Sequence, residues 1–216
     1  MDALQEFERR LPQPQRAIFK GLQSPLAVQA YLDGIPYRAE ELDRSPLRVL
    51  ADGQAHCLDG AIFAALALWR IGFRPLILDL VPVPGKDDDH VLAVFRVDGA
   101  WGALAKSNYP NLRYREPVHR SLRELAMTYF EFYFSLEREK TLRAYTRPLD
   151  LSSFQDPRWM WDEDGVKELS QRLYARKPIP LISESRAARL NLSDERTYTA
   201  GTYGTDFNWS FGAREH

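Results

Sequence analysis

The sequence predicts an α+β fold in which a central helix, beginning at the only cysteine, packs on an antiparallel sheet with further helices around it. Three observations predict it. After Cys57, apolar residues fall at Leu58, Ile62, Ala65, Leu66 and Trp69, the spacing of one helical face. Residues 75–81 are a nearly unbroken apolar run beginning at Pro75 and followed by Pro82, which suits a buried strand. Residues 91–97 and 100–105 flank Asp98-Gly99, a two-residue hairpin signal. Helix, strand, hairpin in that order favours an antiparallel α+β layout over alternating parallel units.

Residues 2–10 and 14–22 read as short helices separated by Pro12 and Pro14. Ser24-Pro25 supplies an N-cap followed by proline at the first helical position, opening a helix to about Leu32 that Gly34 and Pro36 end. Ser45-Pro46 repeats the signal for a helix through Leu50 that stops before Gly53. The central helix is small-sided at Gly60, Ala61, Ala64, Ala65 and Ala67, so neighbouring backbone is expected to approach it closely, and Gly72 is placed to close it. Pro82, Pro84 and Gly85 turn the chain, and residues 107–110 form a loop. A long amphipathic helix is expected over 121–136, with Leu122, Leu125, Tyr129, Phe132 and Tyr133 on one side. Residues 147–157 look irregular, 164–175 and 182–190 helical, and the tail at 199–211 is rich in Gly, Thr and aromatics. The expected organisation is a core over 1–145 and an extension over 146–216 packed on it, the late aromatics Trp159, Trp161, Tyr203, Phe207 and Trp209 packing that extension.

Composition narrows the function classes. With 44% hydrophobic and 27% charged residues the chain is of ordinary globular type. A formal net charge of -1 provides no global attraction to nucleic acid or an anionic membrane; the cluster Arg113, Arg115, Arg120 and Arg123 reads as a solvated face. One cysteine excludes an internal disulfide. The N-terminal stretch is charged and amphipathic without an apolar signal core, and the apolar run 61–69 falls short of the ~20 residues a membrane helix needs. The expectation is a soluble, cytoplasmic protein with no cofactor, no nucleic-acid partner and no membrane span.

The chemistry centres on Cys57. The first amides of a helix lack intrahelical partners and its N-terminus carries partial positive charge, which eases ionisation of a thiol there. His90 opens the strand that follows, and a nucleophile on a central helix with its base on the adjacent strand is a workable acyl-transfer geometry. Taken singly, each has a plainer reading: a small buried hydrophobe for the cysteine, a structural ring for the histidine. Asp87, Asp88 and Asp89 read as solvated loop acids that would raise the pKa of His90. Only His56 and Cys57 add soft ligands to them, with no spaced ligand motif, so no metal site is expected. His56 and Trp101 are candidates to line a cleft.

The run SPLRVLADG at 45–53, the glycine shortly before Cys57, the small-residue helix through Ala61 and Leu66, and the closing Gly72-Phe73-Arg74-Pro75 together resemble the transglutaminase-like superfamily, a branch of the papain-like cysteine enzymes. His90 opening a strand, the Asp98-Gly99 turn and Trp101 continue the resemblance, which covers residues 40–110. It implies a papain-like core with Cys57 as nucleophile, His90 as general base and the Cys57 backbone N–H as oxyanion donor. Gln54 is a candidate second donor. The orienting aspartate of the family would fall at Ala105, which departs from the pattern; Asn108 through its side-chain oxygen, or Ser107, is the substitute candidate, against the plainer reading of Asn108 as a turn residue. The implied activity is acyl transfer or amide and peptide hydrolysis through the Cys–His pair. The alternative is a catalytically impaired relative that binds a peptide or protein partner; a metal-dependent hydrolase is a distant third.

Overall fold

The computed structural model describes residues 3–211. Five helices lead the chain: α1 (Ala3–Arg10), α2 (Gln13–Gly21), α3 (Pro25–Gly34), α4 (Pro46–Asp52) and α5 (Cys57–Arg70). The two Ser-Pro signals act as read: the Ser24 hydroxyl accepts the Ala27 N–H and the Ser45 hydroxyl that of Arg48, each occupying one unpaired amide of the first turn. The strands β1 (Leu76–Pro82), β2 (His90–Val97), β3 (Ala100–Leu104) and β4 (Arg115–His119) follow. Then come α6 (Leu122–Met127), β5 (Leu142–Tyr145), β6 (Leu149–Asp150), α7 (Glu163–Tyr174), β7 (Ile179–Pro180), α8 (Glu184–Ala187) and α9 (Glu195–Gly201). The sheet runs β4-β3-β2-β1-β5-β7, with β6 also on β1, and every pairing is antiparallel. Asp98 and Gly99 both take positive φ, 47° and 84°, as a tight hairpin matching strand twist requires.

Strand alternation sorts side chains into two cores, one on each face of the sheet. Ile77, Val91, Ala93, Phe95 and Leu104 meet α5 and the N-terminal helices. Leu78, Leu80, Leu92, Val94 and Ala103 meet α6 and the aromatic stretch after it. The small side of α5 has its use: a Cβ on Gly60 would stand 2.3 Å from the Cβ of Lys106, so only hydrogen fits there. Trp159, Met160, Val166, Leu169 and Leu173 join the α5 core, so residues beyond 145 share its interior and two of its strands.

Two helices are shorter than the pattern suggests. The segment 121–136 is α6, then a 3-10 turn at Phe130–Phe132. Its five apolar residues still fill the second core. Aromatics are weak helix formers, and the backbone of Tyr133 and Ser135 pairs instead with Thr141 and Glu139. Within 182–190 only α8 is helical, and 147–157 contains β6 and a 3-10 turn at Leu151–Ser153. No helix among the described residues is long and apolar enough to cross a membrane.

Candidate functional site

Cys57 is the first residue of α5, and the residue before it caps the helix. His56 Nδ1 accepts the Leu58 N–H at 3.2 Å, while Asp59, at the third helical position, accepts the His56 N–H at 3.1 Å. That reciprocal pattern is a capping box built with histidine and aspartate. Asp59 is fully buried and also accepts the Arg44 N–H at 2.7 Å. The Arg44 guanidinium, itself buried, reaches Glu40, Asp52 at 3.2 Å and Asp59 at 3.8 Å.

His56, not His90, is the imidazole at the sulfur. Its Nε2 lies 3.3 Å from Asp43 Oδ1 and 3.2 Å from Asp59 Oδ1, and its ring is hydrogen-bonded to Cys57. Burial disfavours the charged ring, but the bonds to Asp43 and Cys57 and the charge of Asp59 outweigh it and push His56 up to about 10. The thiol goes the other way from an activated one. Burial raises the Cys57 pKa; the His56 bond lowers it, the Asp89 charge raises it again, and the net direction is up. The sulfur lies 3.8 Å from the Asp89 carbonyl, which can only accept, so Cys57 serves as the donor.

Two further acids face this region. Asp79, on β1 opposite Val91, is buried within the apolar run, and Asp89 directly precedes β2. Burial raises both carboxyls; the Asp89 charge raises Asp79 further, while at Asp89 a bond from the Tyr174 hydroxyl works against burial and the Asp88 charge works with it. Asp79 Oδ1 and Asp89 Oδ2 are buried without a hydrogen-bond partner among the described residues. The aspartates at 87–89 are therefore not uniformly solvated. Asp87 accepts from Thr141 Oγ1 at 2.7 Å and is pushed up to about 6 by burial, and the backbone carbonyl of Asp89 lies against the sulfur.

Among the described residues no hydrogen bond joins Cys57 and His90; each bonds elsewhere. Val91 belongs to the α5 core, so its neighbour His90 projects from the opposite face of the sheet. There the ring packs edge-on against Tyr133, and Nε2 donates to the Leu112 carbonyl at 2.8 Å. Burial lowers its pKa to about 4, with the Arg115 charge adding to the effect. The expectation that the neighbouring aspartates raise it is corrected: burial dominates.

The other expected residues are also engaged elsewhere. Asn108 donates to the Asp206 carbonyl at 2.8 Å and accepts the Asp206 N–H at 3.1 Å, tying down the C-terminal tail rather than orienting an imidazole. Ser107 Oγ accepts the Tyr109 N–H at 3.0 Å, a turn contact. Gln54 is hydrogen-bonded to Glu40. Trp101 belongs to the second core, under the Arg96 guanidinium, 5.0 Å from its centroid. At the expected aspartate position, Ala105 is buried and its N–H goes to Gln29. His56 was expected as a cleft residue, whereas Asp43, Asp59, Asp79 and Tyr174 were not expected at the site; of these only Asp59 is signalled, by the His-x-x-Asp spacing at 56–59, as a cap.

Asp43, His56 and Asp59 offer ligand atoms within 4.8 Å of one another, a set a cation could use. Asp59 has already committed its oxygens to two backbone amides and lies beside Arg44.

No protein-family model matches the sequence, and no curated protein matches it. Among solved structures, Legionella pneumophila LapG, EGTA-treated, is similar at 12% identity with a TM-score of 0.42, over 77% of this chain and 95% of that one. A second structure of Legionella pneumophila LapG gives the same identity and score, with 93% of that chain covered. A likeness this loose does not indicate which atoms react.

Proposed function

We propose that the chain binds a peptide or protein partner on a transglutaminase-like arrangement of helix and sheet, and that Cys57 is not an activated nucleophile. The observation that carries this reading is the placement of His90. Its ring is on the far face of the sheet, neutral, and bonded to the Leu112 carbonyl. At the sulfur itself, a thiol raised by burial meets an imidazole whose Nε2 proton is held by Asp43 and Asp59. Nδ1 already accepts the Leu58 N–H and Nε2 faces Asp43 and Asp59, so neither ring nitrogen is open to take the thiol proton and general-base activation is absent. The test is alkylation of Cys57 by iodoacetamide near pH 7, followed by mass spectrometry. Labelling no faster than glutathione, and unaltered in His90→Ala, is the expected result; rapid labelling lost in that variant would overturn the reading.

A second reading has one observation in its favour. Cys57, His56 and Asp43 stand in the order of a thiol, an imidazole and an orienting carboxylate. In it Cys57 performs acyl transfer or amide hydrolysis with His56 in place of His90. Alkylation slowed at least about tenfold by Asp43→Asn would select it.

A further inference from the structure

The molecule as a whole is nearly neutral, yet two adjoining grooves are strongly basic. One, of about 710 Å³, is lined by Arg74, Arg120 and Arg123. The other, of about 730 Å³, is lined by Arg172 and Lys177. Arg147, Arg176 and Ile179 line both, which makes the two one trough. Leu76, Trp101, Leu122 and Ile179 of the first groove's wall belong to the second core, so that groove opens on the side of the sheet away from α5, and the second continues from it past the C-terminal end of α7.

The charge in this trough is mostly uncompensated. Its one lining carboxylate, Asp150, is already bound to Arg74 at 2.6 Å. Arg172 pairs with Glu168, also at 2.6 Å. Arg123 donates to the Leu181 carbonyl, and Arg176 to the carbonyls of Arg147 and Pro148; these bonds fix the guanidinium planes without neutralising them. Glu124 accepts the Arg120 backbone N–H, and the Arg120 side chain is exposed. Among the described residues the side chains of Arg120, Arg147 and Lys177 have no partner. A cluster of forks held this way matches carboxylates, which guanidinium binds through paired N–H groups.

We propose that this trough binds an acidic peptide segment of a protein partner, a proposal that rests on the binding reading above and names the partner's chemistry. Each groove alone has the volume of a small-molecule site; joined, they suit an extended chain. Leu76, Leu122, Pro178 and Ile179 between the cations accept the apolar side chains a peptide carries. A single-stranded nucleic acid needs open aromatic faces for its bases, and here Trp101 is covered by Arg96 while Tyr145 is buried.

The test uses the full chain and fluorescein-labelled deca-glutamate, read by fluorescence anisotropy at about 50 mM salt. The comparison is the triple variant Arg120→Ala, Arg147→Ala, Lys177→Ala, three exposed positions, with an unchanged circular dichroism spectrum as the control for folding. The wild type is expected to bind, and the variant to bind about tenfold or more weakly. No binding by about 1 mM peptide, or a smaller loss in the variant, overturns the proposal. Tighter binding of an oligo-dT of the same length also overturns it, in favour of nucleic acid. Cys57 alkylation is read on the same samples: slow labelling without peptide binding sinks this proposal alone, and fast labelling sinks the binding reading of the Cys57 site.

Discussion

Replacing His90 by glutamine removes a titration that the folded state resists. The ordinary imidazole value of 6.5 falls to about 4 in the folded protein because the ring is buried. A histidine lowered in this way contributes stability above its unfolded value, and that contribution is lost as pH falls from 6.5 through about 4. The gap of 2.5, at about 1.36 kcal/mol per pH unit, is worth about 3 kcal/mol when fully expressed. His90→Gln retains an N–H able to donate to the Leu112 carbonyl and has no proton to gain. It loses ring packing against Tyr133, a cost that does not vary with pH.

The assay is urea unfolding followed by tryptophan fluorescence at about pH 7 and about pH 4. Wild type is expected to lose about 3 kcal/mol more than His90→Gln between those points. The buried acids do not mimic this: Asp59 and Asp87, both raised to about 6, favour the folded state as pH falls. Equal pH slopes in the two proteins would refute the burial argument. So would an NMR titration placing His90 near 6.5, which would also return the ring to contention as a base.

Three other changes probe the surroundings. Gly60→Ala forces a methyl against the Lys106 Cβ and should cost about 1–3 kcal/mol of unfolding free energy through overpacking; a neutral effect would mean that β3's continuation does not press on α5. Arg44→Met strips the cation from buried Asp59 and should cost about 3–5 kcal/mol in the same measurement. Asp79→Asn works in the opposite direction. A carboxyl raised in the folded state contributes stability at low pH that is lost as pH rises through the raised value, so the variant should be the more stable protein at about pH 8 and lose that advantage by about pH 4. An unchanged midpoint at the higher pH would show that Asp79 ionises freely.

Local signals carried much of the framework and little of the site. Ser24-Pro25, Ser45-Pro46 and Asp98-Gly99 each determine backbone within a few residues, and each forms as its residue types require. The facing of His90 is different. The run HVLAVFRV is apolar on both sides because both faces of β2 are covered, so no alternation marks which side meets α5. A one-residue change of phase would have put the imidazole beside the sulfur. Asp79 stands in plain view within LILDLVP, yet its closeness to Asp89 and Cys57 depends on the β1–β2 register. Asp43 reaches His56 from the loop before α4, a tertiary contact with no local signature. The broken 121–136 segment shows the same limit: its apolar face was legible, and the backbone partners that interrupt its helix were remote.

The position of a cysteine at a helix start is a weaker statement about reactivity than it looks. A helix N-terminus stabilises a negative group by about 0.3–1 kcal/mol, less than one pKa unit. Burial and a neighbouring like charge each move a pKa by more than that. At Cys57 both oppose ionisation, through the enclosed sulfur and Asp89, and His56 offsets them only in part. The same residues explain why His56 cannot compensate as a base: the carboxylates that hold it in place also hold its proton. A reactive thiol here would require Asp43 or Asp59 to release the ring, and Asp59 is fixed by the very cap that starts the helix. Structure at the head of α5 thus favours a stable helix start over a nucleophile, which leaves the basic trough across the sheet as the better-equipped surface for recognition.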